Sequence, residues 1–262
     1  MKLNIILILF ILSYNSFAND NDLLSEYSLL FYDLSNIKTI SYKSYFSIEH
    51  NKTMINLNVS QGVLTVTEVP YDFAVFGEGF FKIRLENDAV GWTRAGDLMI
   101  DNNGNLIANS RYSLYDNIML PDSYIPETLK ITNDGNIFVS TASRRNQANE
   151  VHAGRIILYN IPGELLVRHS DTIFIIKEDE EYEEVVSSSR IIQGALEMSN
   201  VPLLSVILRM YYILSVINEE NMPNIGLKRE LLKIQIERIA NNLIDTQYIY
   251  LSGILPYLEY NR

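Results

Sequence analysis

The side chains that could do chemistry are few in this sequence, and they lie far apart. The chain contains three histidines, His50, His152 and His169, and it contains no cysteine. Acid–base catalysis and metal binding both need such groups at a defined spacing, and these histidines show none. The lack of cysteine also excludes disulfides, thiolate ligands and thiol nucleophiles. We therefore predict that the protein is not an enzyme and that it has no cofactor and no metal site.

Two short segments have part of the spacing of ligand-binding loops. Gly77–Gly79 matches half of a phosphate loop, but Phe80 and Phe81 continue it as a strand, whereas a phosphate loop opens a helix. Asp101–Asn105 resembles the start of a calcium loop, yet Leu106 stands where that loop requires glycine. We expect a bulge or tight hairpin at the glycines and a hairpin at Asp101–Asn105.

The charge of the chain excludes one class of partner. Thirty-two acidic residues against 21 lysines and arginines give a net charge of −11. Such a chain repels nucleic-acid phosphates unless its basic residues cluster, and the sequence has no basic cluster. We therefore expect no nucleic-acid partner. The acidic segment Lys177–Glu184 predicts a solvated loop, and weak cation binding there is the alternative.

Residues 1–18 have the pattern of a cleavable secretory signal. Lys2 precedes the apolar run Leu3–Leu12, and Ser16 and Ala18 place small residues at the two positions that signal peptidase recognises. The run is shorter than the roughly twenty residues that span a bilayer. We therefore expect cleavage after Ala18 and a mature chain in the periplasm. A membrane location is expected only if the signal stays uncleaved.

The segment Asp22–Leu34 has the periodicity of an amphipathic helix. Leu23, Tyr27, Leu30 and Leu34 follow the i, i+4, i+7, i+11 spacing that places side chains on one helical face. A helix of about thirteen residues is marginal in water on its own. We therefore predict that this face docks against another helix.

The region from Thr53 to about Ile176 has the pattern of an all-β domain. Short runs of β-branched and aromatic residues alternate with turn residues. Gly104 and Gly135 each follow an Asn or Asp, so each can adopt the positive φ angle of a tight hairpin. The predicted strands are Asn56–Val59, Val63–Val66, Phe73–Phe76, Phe80–Leu85, Val90–Thr93, Leu98–Ile100, Leu106–Ala108, Leu129–Thr132, Ile137–Ser140, Arg155–Tyr159, Leu165–Arg168 and Thr172–Ile176.

Helical patterns return after the acidic segment. Ser199 and Asn200 are candidate capping residues for an apolar helix over Val201–Ile217, and a second helix is expected from Leu227 to about Leu251. Arg209 lies in the middle of the first helix, and a charge there costs a few kcal/mol in lipid. We therefore expect burial against protein and not a membrane span.

These patterns predict a mainly β fold with terminal α-helices, of the α+β class. The β domain consists of hairpins and is flanked by N-terminal and C-terminal helices. The predicted organisation is a signal peptide at 1–18, a helical segment at 19–48, a β-rich domain at 49–190 and a helical segment at 191–262.

Five blocks of sequence carry a resemblance to a known family. In chain order they are Tyr71–Ile83, Trp92–Asp97, Ile100–Ile107, Leu129–Ile137 and Gln193–Val201. Their content and order resemble the bacterial flagellar basal-body rod proteins, the distal and proximal rod proteins among the hook-basal body proteins. The motif residues are Gly77, Gly79, Phe80, Phe81, Thr93, Arg94, Gly96, Gly104, Asp134, Gly135, Gln193, Gly194, Leu196, Ser199, Asn200 and Val201.

The resemblance implies a structural function in the flagellar basal body. It implies that the terminal helices pair as a coiled unit lining a tube while the β domain forms the outer shell. The implied partners are other rod and hook-basal body subunits, in a homo-oligomer or hetero-oligomer. The assembly interface is then expected at Leu23, Tyr27, Leu30, Leu34, Leu203, Leu204, Ile207 and Met210.

Three features depart from the family and leave alternatives open. Rod subunits of the family have no cleavable signal, their first helix is longer, and their last helix usually ends the chain, whereas a further segment to Arg262 follows here. The protein could therefore be a motor accessory or collar that does not polymerise. A periplasmic binding module for peptide or glycan and a periplasmic hydrolase are the rival hypotheses.

Overall fold

The computed structural model describes residues 20–47, 55–108, 110–116, 118–142, 149–178 and 180–216, with the single positions 226, 230 and 234. In this part the chain is mainly β, with helix α1 at Asp20–Ser35 and helix α2 at Leu203–Val216. Neither helix has both the length and the hydropathy to cross a bilayer. The predicted signal, His50 and almost all of the second C-terminal helix lie outside the described residues.

The strands are short, and most of them have two to four residues. In chain order they are β1 Tyr45–Ser47, β2 Ile55–Leu57, β3 Leu64–Val66, β4 Phe73–Phe76, β5 Phe80–Arg84, β6 Val90–Thr93, β7 Met99–Ile100, β8 Leu106–Ala108, β9 Tyr112–Ser113, β10 Lys130–Ile131, β11 Asn136–Thr141, β12 Asn149–Arg155, β13 Leu158–Asn160, β14 Leu166–Arg168, β15 Ile173–Ile176, β16 Val185–Val186, β17 Arg190–Gln193 and β18 Ala195–Glu197.

The described residues divide into two compact units. One contains residues 20–34, 47 and 202–216, and therefore both helices. The other contains residues 35–46 and the described part of 55–201, and therefore almost all of the β structure. The domain boundaries predicted from the sequence stay predictions.

The helical unit contains a charged contact between its two helices. Arg209 of α2 donates from Nε to one carboxylate oxygen of Glu26 on α1 at 2.6 Å, and from a terminal nitrogen to the other oxygen at 2.7 Å. Met210, Ile213 and Leu214 are buried on α2. Two parallel donor–acceptor contacts are the strong, directional form of an arginine–carboxylate pair. The arginine that argued against a membrane span is therefore matched by a carboxylate.

The largest sheet has six strands in the order β14-β15-β6-β5-β13-β16. Two three-stranded sheets, β10-β11-β12 and β7-β8-β9, and three strand pairs, β17-β4, β18-β3 and β1-β2, complete the β structure. Strands β17 and β18 come from the C-terminal end of the unit and pair with β4 and β3 near its N-terminal end. The two ends of the unit are thereby joined.

Strand β5 lies between two apolar clusters. Successive side chains of a strand point to opposite faces, so Phe81 and Ile83 face one cluster while Phe80 and Lys82 face the other. The first is the main core of the unit, and it includes β4, β8 and β11. The second, smaller cluster consists of Leu57, Phe80, Trp92, Ile161, Leu166 and Phe174.

Most predicted strands are found with small changes at their ends, and one was wrong. Phe73–Phe76, Val90–Thr93 and Leu106–Ala108 agree with the structure residue for residue. The predicted strand Arg155–Tyr159 does not exist, because β12 ends at Arg155 and β13 begins at Leu158. The backbone N–H of Ile156 donates to the carbonyl of Gly135, so the chain leaves one sheet here and enters another.

The predicted hairpins at Gly104 and Gly135 are confirmed. Gly104 has φ +84° between β7 and β8, and Gly135 has φ +90° between β10 and β11. A bulge or tight hairpin was expected at Gly77–Gly79, and the hairpin alternative was wrong. Both glycines have positive φ, but β4 pairs with β17 while β5 pairs with β6 and β13, so this turn connects two sheets.

Candidate functional site: a buried charge cluster

Three charged side chains meet inside the β unit. The Glu197 carboxylate accepts hydrogen bonds from Lys43 Nζ at 2.5 Å, from Arg94 Nε at 2.6 Å and from the backbone N–H of Gly62 at 2.6 Å. The exposed fractions of the three side chains are 0% for Glu197, 0% for Lys43 and 1% for Arg94. We call Lys43, Arg94 and Glu197 the charge cluster.

The fold brings these residues together from three distant parts of the chain. Glu197 is the last residue of β18 and lies opposite Leu64 of β3. Lys43 precedes β1. Arg94 follows β6, which is an inner strand of the six-stranded sheet. The Lys43–Glu197 contact spans 154 positions of sequence, and the Arg94–Glu197 contact spans 103. The cluster is therefore a long-range junction.

The cations of the cluster also hold backbone carbonyls. The terminal nitrogens of Arg94 donate to the carbonyls of Gly79 at 2.6 Å and Val75 at 3.2 Å. Lys43 Nζ donates to the carbonyl of Ser60 at 2.7 Å. Arg94 thus fixes the turn between β4 and β5, and Lys43 fixes the loop before β3. A planar guanidinium with a fixed fork of donors suits the first task.

The charge cluster holds two cations and one anion away from water. The pKa of Lys43 is lowered from 10.5 to about 8, because burial and the nearby Arg94 charge together outweigh the opposing effect of Glu197. Removing one member of a buried ion pair leaves an uncompensated charge, which costs about 3–5 kcal/mol. Glu197 is therefore the residue on which both cations depend.

Asn200 forms a second set of links beside the cluster. Its side-chain oxygen accepts from the N–H of Ser44 at 2.7 Å, and its side-chain nitrogen donates to the carbonyls of Asn58 at 2.7 Å and Ser60 at 2.9 Å. The predicted capping role of Asn200 was wrong, because its amide is used for these contacts. Helix α2 begins at Leu203, three residues later.

Gln193 links two further segments in the same manner. Its side-chain oxygen accepts from the N–H of Ile131 at 3.0 Å. Its side-chain nitrogen donates to the carbonyls of Pro70 at 2.8 Å and Leu129 at 2.9 Å. An amide that satisfies backbone groups of β10, of the residue before it and of a distant loop fixes their relative position.

Arg168 is a junction residue that the sequence did not reveal. Its Nε donates to the Tyr45 hydroxyl at 3.1 Å, and a terminal nitrogen donates to the carbonyl of Lys43. The guanidinium carbon lies 4.3 Å from the centre of the Tyr42 ring and 5.3 Å from that of Phe174. No local spacing signals this role. Glu197 had a signal, since it is an acid inside an apolar strand pattern, where burial requires a partner.

The other family-motif residues lie in the core, in turns or beside the cluster. Phe80, Phe81, Leu196 and Val201 are buried. The Thr93 hydroxyl donates to the carbonyl of Thr172 at 2.8 Å. Gly96 lies so close to Phe73 that an added Cβ would be 1.6 Å from its carbonyl oxygen. Positive φ angles occur at Gly77, Gly79, Gly104, Gly135 and Gly194.

Two polar motif residues act locally in the chain. The Asp134 carboxylate accepts from the Thr132 hydroxyl at 2.5 Å and from the Asn136 amide at 2.7 Å, and these bonds lower the pKa of Asp134. The Ser199 hydroxyl accepts from the N–H of Val201 at 3.3 Å. Both residues therefore stabilise turns, one inside a hairpin and one before α2.

The eight residues expected at the assembly interface differ in their burial. Within the chain, Leu23, Leu34, Ile207 and Met210 are buried, Tyr27, Leu30 and Leu203 are half-buried, and Leu204 is 49% exposed. Burial raises the pKa of Tyr27. Leu204 is therefore the member of this set most accessible to a partner.

The charge cluster holds segments of the β unit in position and is enclosed by protein. All its charged atoms are closed off from water, so a substrate has no access to them. Among the described residues, no three His, Asp or Glu side chains lie close enough together to hold a metal ion. Two surface depressions in the same residues, of about 300 and 250 Å³, include no cluster residue.

Comparison with known proteins places part of the chain in a family. Residues 74–139 match the family model of the flagellar hook protein FlgE/F/G D1 domain. This range contains Arg94 and runs from β4 to β11, whereas Lys43 and Glu197 lie outside it. The charge cluster therefore connects the matched domain to segments on both sides of it.

Three curated relatives have the same name, flagellar basal-body rod protein FlgG. The protein of Borreliella burgdorferi is 29% identical over 146 residues, which is 54% of each chain. That of Buchnera aphidicola subsp. Schizaphis graminum is 33% identical over 101 residues, 38% of this chain and 37% of its own length. That of Agrobacterium fabrum is 29% identical over 105 residues, 40% and 38% respectively. The chain spans about half or less of the length of these relatives.

Proposed function

We propose that this chain belongs to the flagellar rod and hook protein family and that it is a structural component of the bacterial flagellar basal body. The match of the FlgE/F/G D1 domain carries the proposal. The relatives are named as basal-body proteins, which supports that location for this chain. The periplasm as the compartment follows from the predicted signal alone and is part of the proposal.

The proposed mechanism is mechanical, and the charge cluster supports it. Residues 41–44 follow α1 in the sequence, and Glu197–Asn200 precede α2. Force along either helix enters the β unit through these segments, because they are the covalent connections. Ion pairs and hydrogen bonds from Lys43, Glu197 and Asn200 tie the two segments to each other and to the loop after β2. A subunit that bears torque needs its two points of force entry held together inside the β unit.

We further propose that α1 and α2 pair as a coiled unit that other subunits cover. The ion pair between Arg209 and Glu26 supports contact between the helices. Apolar side chains stay exposed on both, namely Leu204, Leu208 and Tyr211 on α2 and Phe31 and Tyr32 on α1. A contiguous exposed apolar surface on a helix is typical of an interface. Its burial contributes about 25 cal/mol per Å² to association.

The assembly experiment uses one substitution in each helix and a matched control. Leu30→Asp and Leu204→Asp place a charge in the proposed interface, whereas Met119→Asp places one on an exposed apolar position of the β unit. We expect the two helix variants to be lost from purified basal bodies while circular dichroism still reports a folded β unit. The Met119→Asp variant should assemble normally. Normal assembly of both helix variants would contradict the proposed interface.

Imaging motors from a deletion strain separates this function from the alternatives. A missing segment of the rod supports an axial subunit. A missing peripheral density supports the accessory or collar protein, which does not polymerise. Intact motors with normal motility would refute the proposed function and favour a periplasmic binding module.

A further inference from the structure

The acidic segment crosses the six-stranded sheet as a strap. Strand β15 is second from one edge of this sheet, and β16 is the opposite edge. The chain between them therefore passes over β6, β5 and β13. We define the strap as residues 180–186, which include β16 and four glutamates. Its sequence predicted a solvated loop, and all of its residues except Tyr182 are exposed.

Two side chains attach the strap to the face that it crosses. The Tyr182 ring meets the Trp92 ring edge to face, with centroids 6.2 Å apart and planes at 82°. The Tyr182 hydroxyl donates to the carbonyl of Asn160, and the Glu184 carboxylate forms an ion pair with Lys82. Edge-to-face aromatic pairs and partly buried ion pairs each contribute modestly to stability.

Lys82 lies in a cage of aromatic rings under the strap. Its side chain is 8% exposed, and its Nζ lies 3.9 Å from the centre of the Tyr115 ring, 5.5 Å from that of Tyr159 and 5.7 Å from that of Trp92. The faces of these rings attract an ammonium group. The lysine is therefore held by the sheet as well as by the strap.

The rest of the strap adds little to its attachment. Strand β16 has two residues, and Val185 and Val186 are 53% and 63% exposed, so they bury little apolar surface. Glu180, Glu181 and Glu183 are exposed beside Glu184, and like charges at this spacing repel one another. A segment with few buried contacts and exposed hydrogen bonds opens at a small fraction of the global unfolding free energy.

Opening the strap would leave Lys82 with a second carboxylate. Asp116 follows Tyr115 in the sequence, and its carboxylate accepts from the N–H of Ile157 at 3.0 Å. Burial raises the pKa of Asp116, Lys82 lowers it, and Glu184 raises it, so Asp116 interacts with both partners of the strap's ion pair. The main cost of breaking a buried ion pair is the charge left unpaired, and Asp116 reduces that cost here.

From these contacts we propose that residues 180–186 are a displaceable strap, which opens while the sheet beneath it stays folded. Opening uncovers Trp92 and Tyr159 and frees the edge of β13 that pairs with β16. This inference concerns a movement within the β unit and does not depend on the proposed function.

The sequence allows a test with a single reporter and a reversible lock. The chain has one tryptophan, Trp92, and no cysteine. Asn160 and Val185 lie directly opposite each other in the β13–β16 pair, and directly paired strand residues have the spacing that a disulfide needs. In the full chain carrying Asn160→Cys and Val185→Cys, we expect acrylamide quenching of Trp92 to fall on oxidation and to return on reduction. The reduced form is the matched control.

A charge substitution and the wild-type chain complete the test. Glu184→Gln should raise the hydrogen-exchange rate of the Val185 amide about fivefold, the effect of losing roughly 1 kcal/mol of ion pairing. Glu181→Gln removes the same charge without touching Lys82 and should not raise it. Equal quenching in the oxidised and reduced double variant would overturn the proposal. So would wild-type strap amides that exchange no faster than those of β6, a measurement that needs no variant to fold.

Discussion

Replacing Glu197 by glutamine removes the one anion of the charge cluster while keeping the size of the side chain. Lys43 and Arg94 then lose the carboxylate that each contacts at 2.5 and 2.6 Å. Glutamine keeps a carbonyl oxygen that can still accept from the N–H of Gly62, but it adds an amide that must be placed among cations. Two buried cations without an anion are the expected result.

The magnitude follows from the cost of breaking a buried ion pair, which is about 3–5 kcal/mol. The retained oxygen and the neutralisation of Lys43 at moderate pH favour the lower end, so we expect a loss of about 3 kcal/mol in unfolding free energy. For a chain of this size that corresponds to a fall of about 6–12 °C in Tm. Urea unfolding followed by Trp92 fluorescence measures the free energy directly.

Two further variants separate the cluster from a general charge effect. Glu183→Gln makes the same chemical change at an exposed position and should alter stability by less than about 0.5 kcal/mol. Glu197→Gln combined with Lys43→Met should recover part of the loss, because a buried ion pair can often be replaced by apolar side chains at little cost. A loss below about 1 kcal/mol for Glu197→Gln alone would refute the role assigned to the cluster.

Three more predictions follow from the same unit. The pKa of Lys43, about 8, lies below its ordinary value of 10.5, so the unfolded chain binds more protons between these values. The unfolding free energy should therefore rise between about pH 8 and pH 10 by at most about 1.4 kcal/mol per pH unit, the limit that acid–base linkage sets for one group. Urea unfolding at several pH values measures this rise, and the Lys43→Met variant, which lacks the titrating group, should not show it. Gly96→Ala places a Cβ against a carbonyl oxygen and should lower Tm sharply. The added Cβ of the control variant Gly226→Ala has no atom within 4 Å, so its Tm should not fall. Calorimetry of both variants measures the two Tm values. Asn200→Ala removes three hydrogen bonds and should cost about 2–3 kcal/mol, more than Ser199→Ala, and an equal cost in chemical denaturation would restore the capping interpretation.

The elements that local patterns determine could be predicted from the sequence. Helix α1 follows from the spacing of Leu23, Tyr27, Leu30 and Leu34, and the hairpins at Gly104 and Gly135 follow from turn residues that tolerate positive φ. Strands such as Phe73–Phe76 follow from short apolar runs between turns. In each case the residues that determine the element are its own.

The predictions that were wrong concern features that depend on contacts between distant residues. Ile156 and Leu158 are both buried, so the sequence between β12 and β13 has the apolar pattern of one continuous strand. The pattern therefore does not show that the chain leaves one sheet there and enters another. Asn200 has the side chain of a helix cap, but its partners are Ser44 and Asn58, far away in the sequence. The spacing of apolar residues carries no information about which distant residues contact each other. All contacts among Lys43, Arg94 and Glu197 are of this kind.

The wide sequence separation within the charge cluster has a consequence for how the chain acquires its structure. Synthesis delivers the N-terminal side first, so Lys43 and Arg94 emerge from the ribosome long before Glu197, which is 154 and 103 positions further on. Until then the interior would contain two cations and no anion, a state that water stabilises better than protein does. Contacts between residues so far apart in the sequence form slowly and late in folding. The β unit is therefore expected to close around Lys43 and Arg94 only after strand β18 has been synthesised.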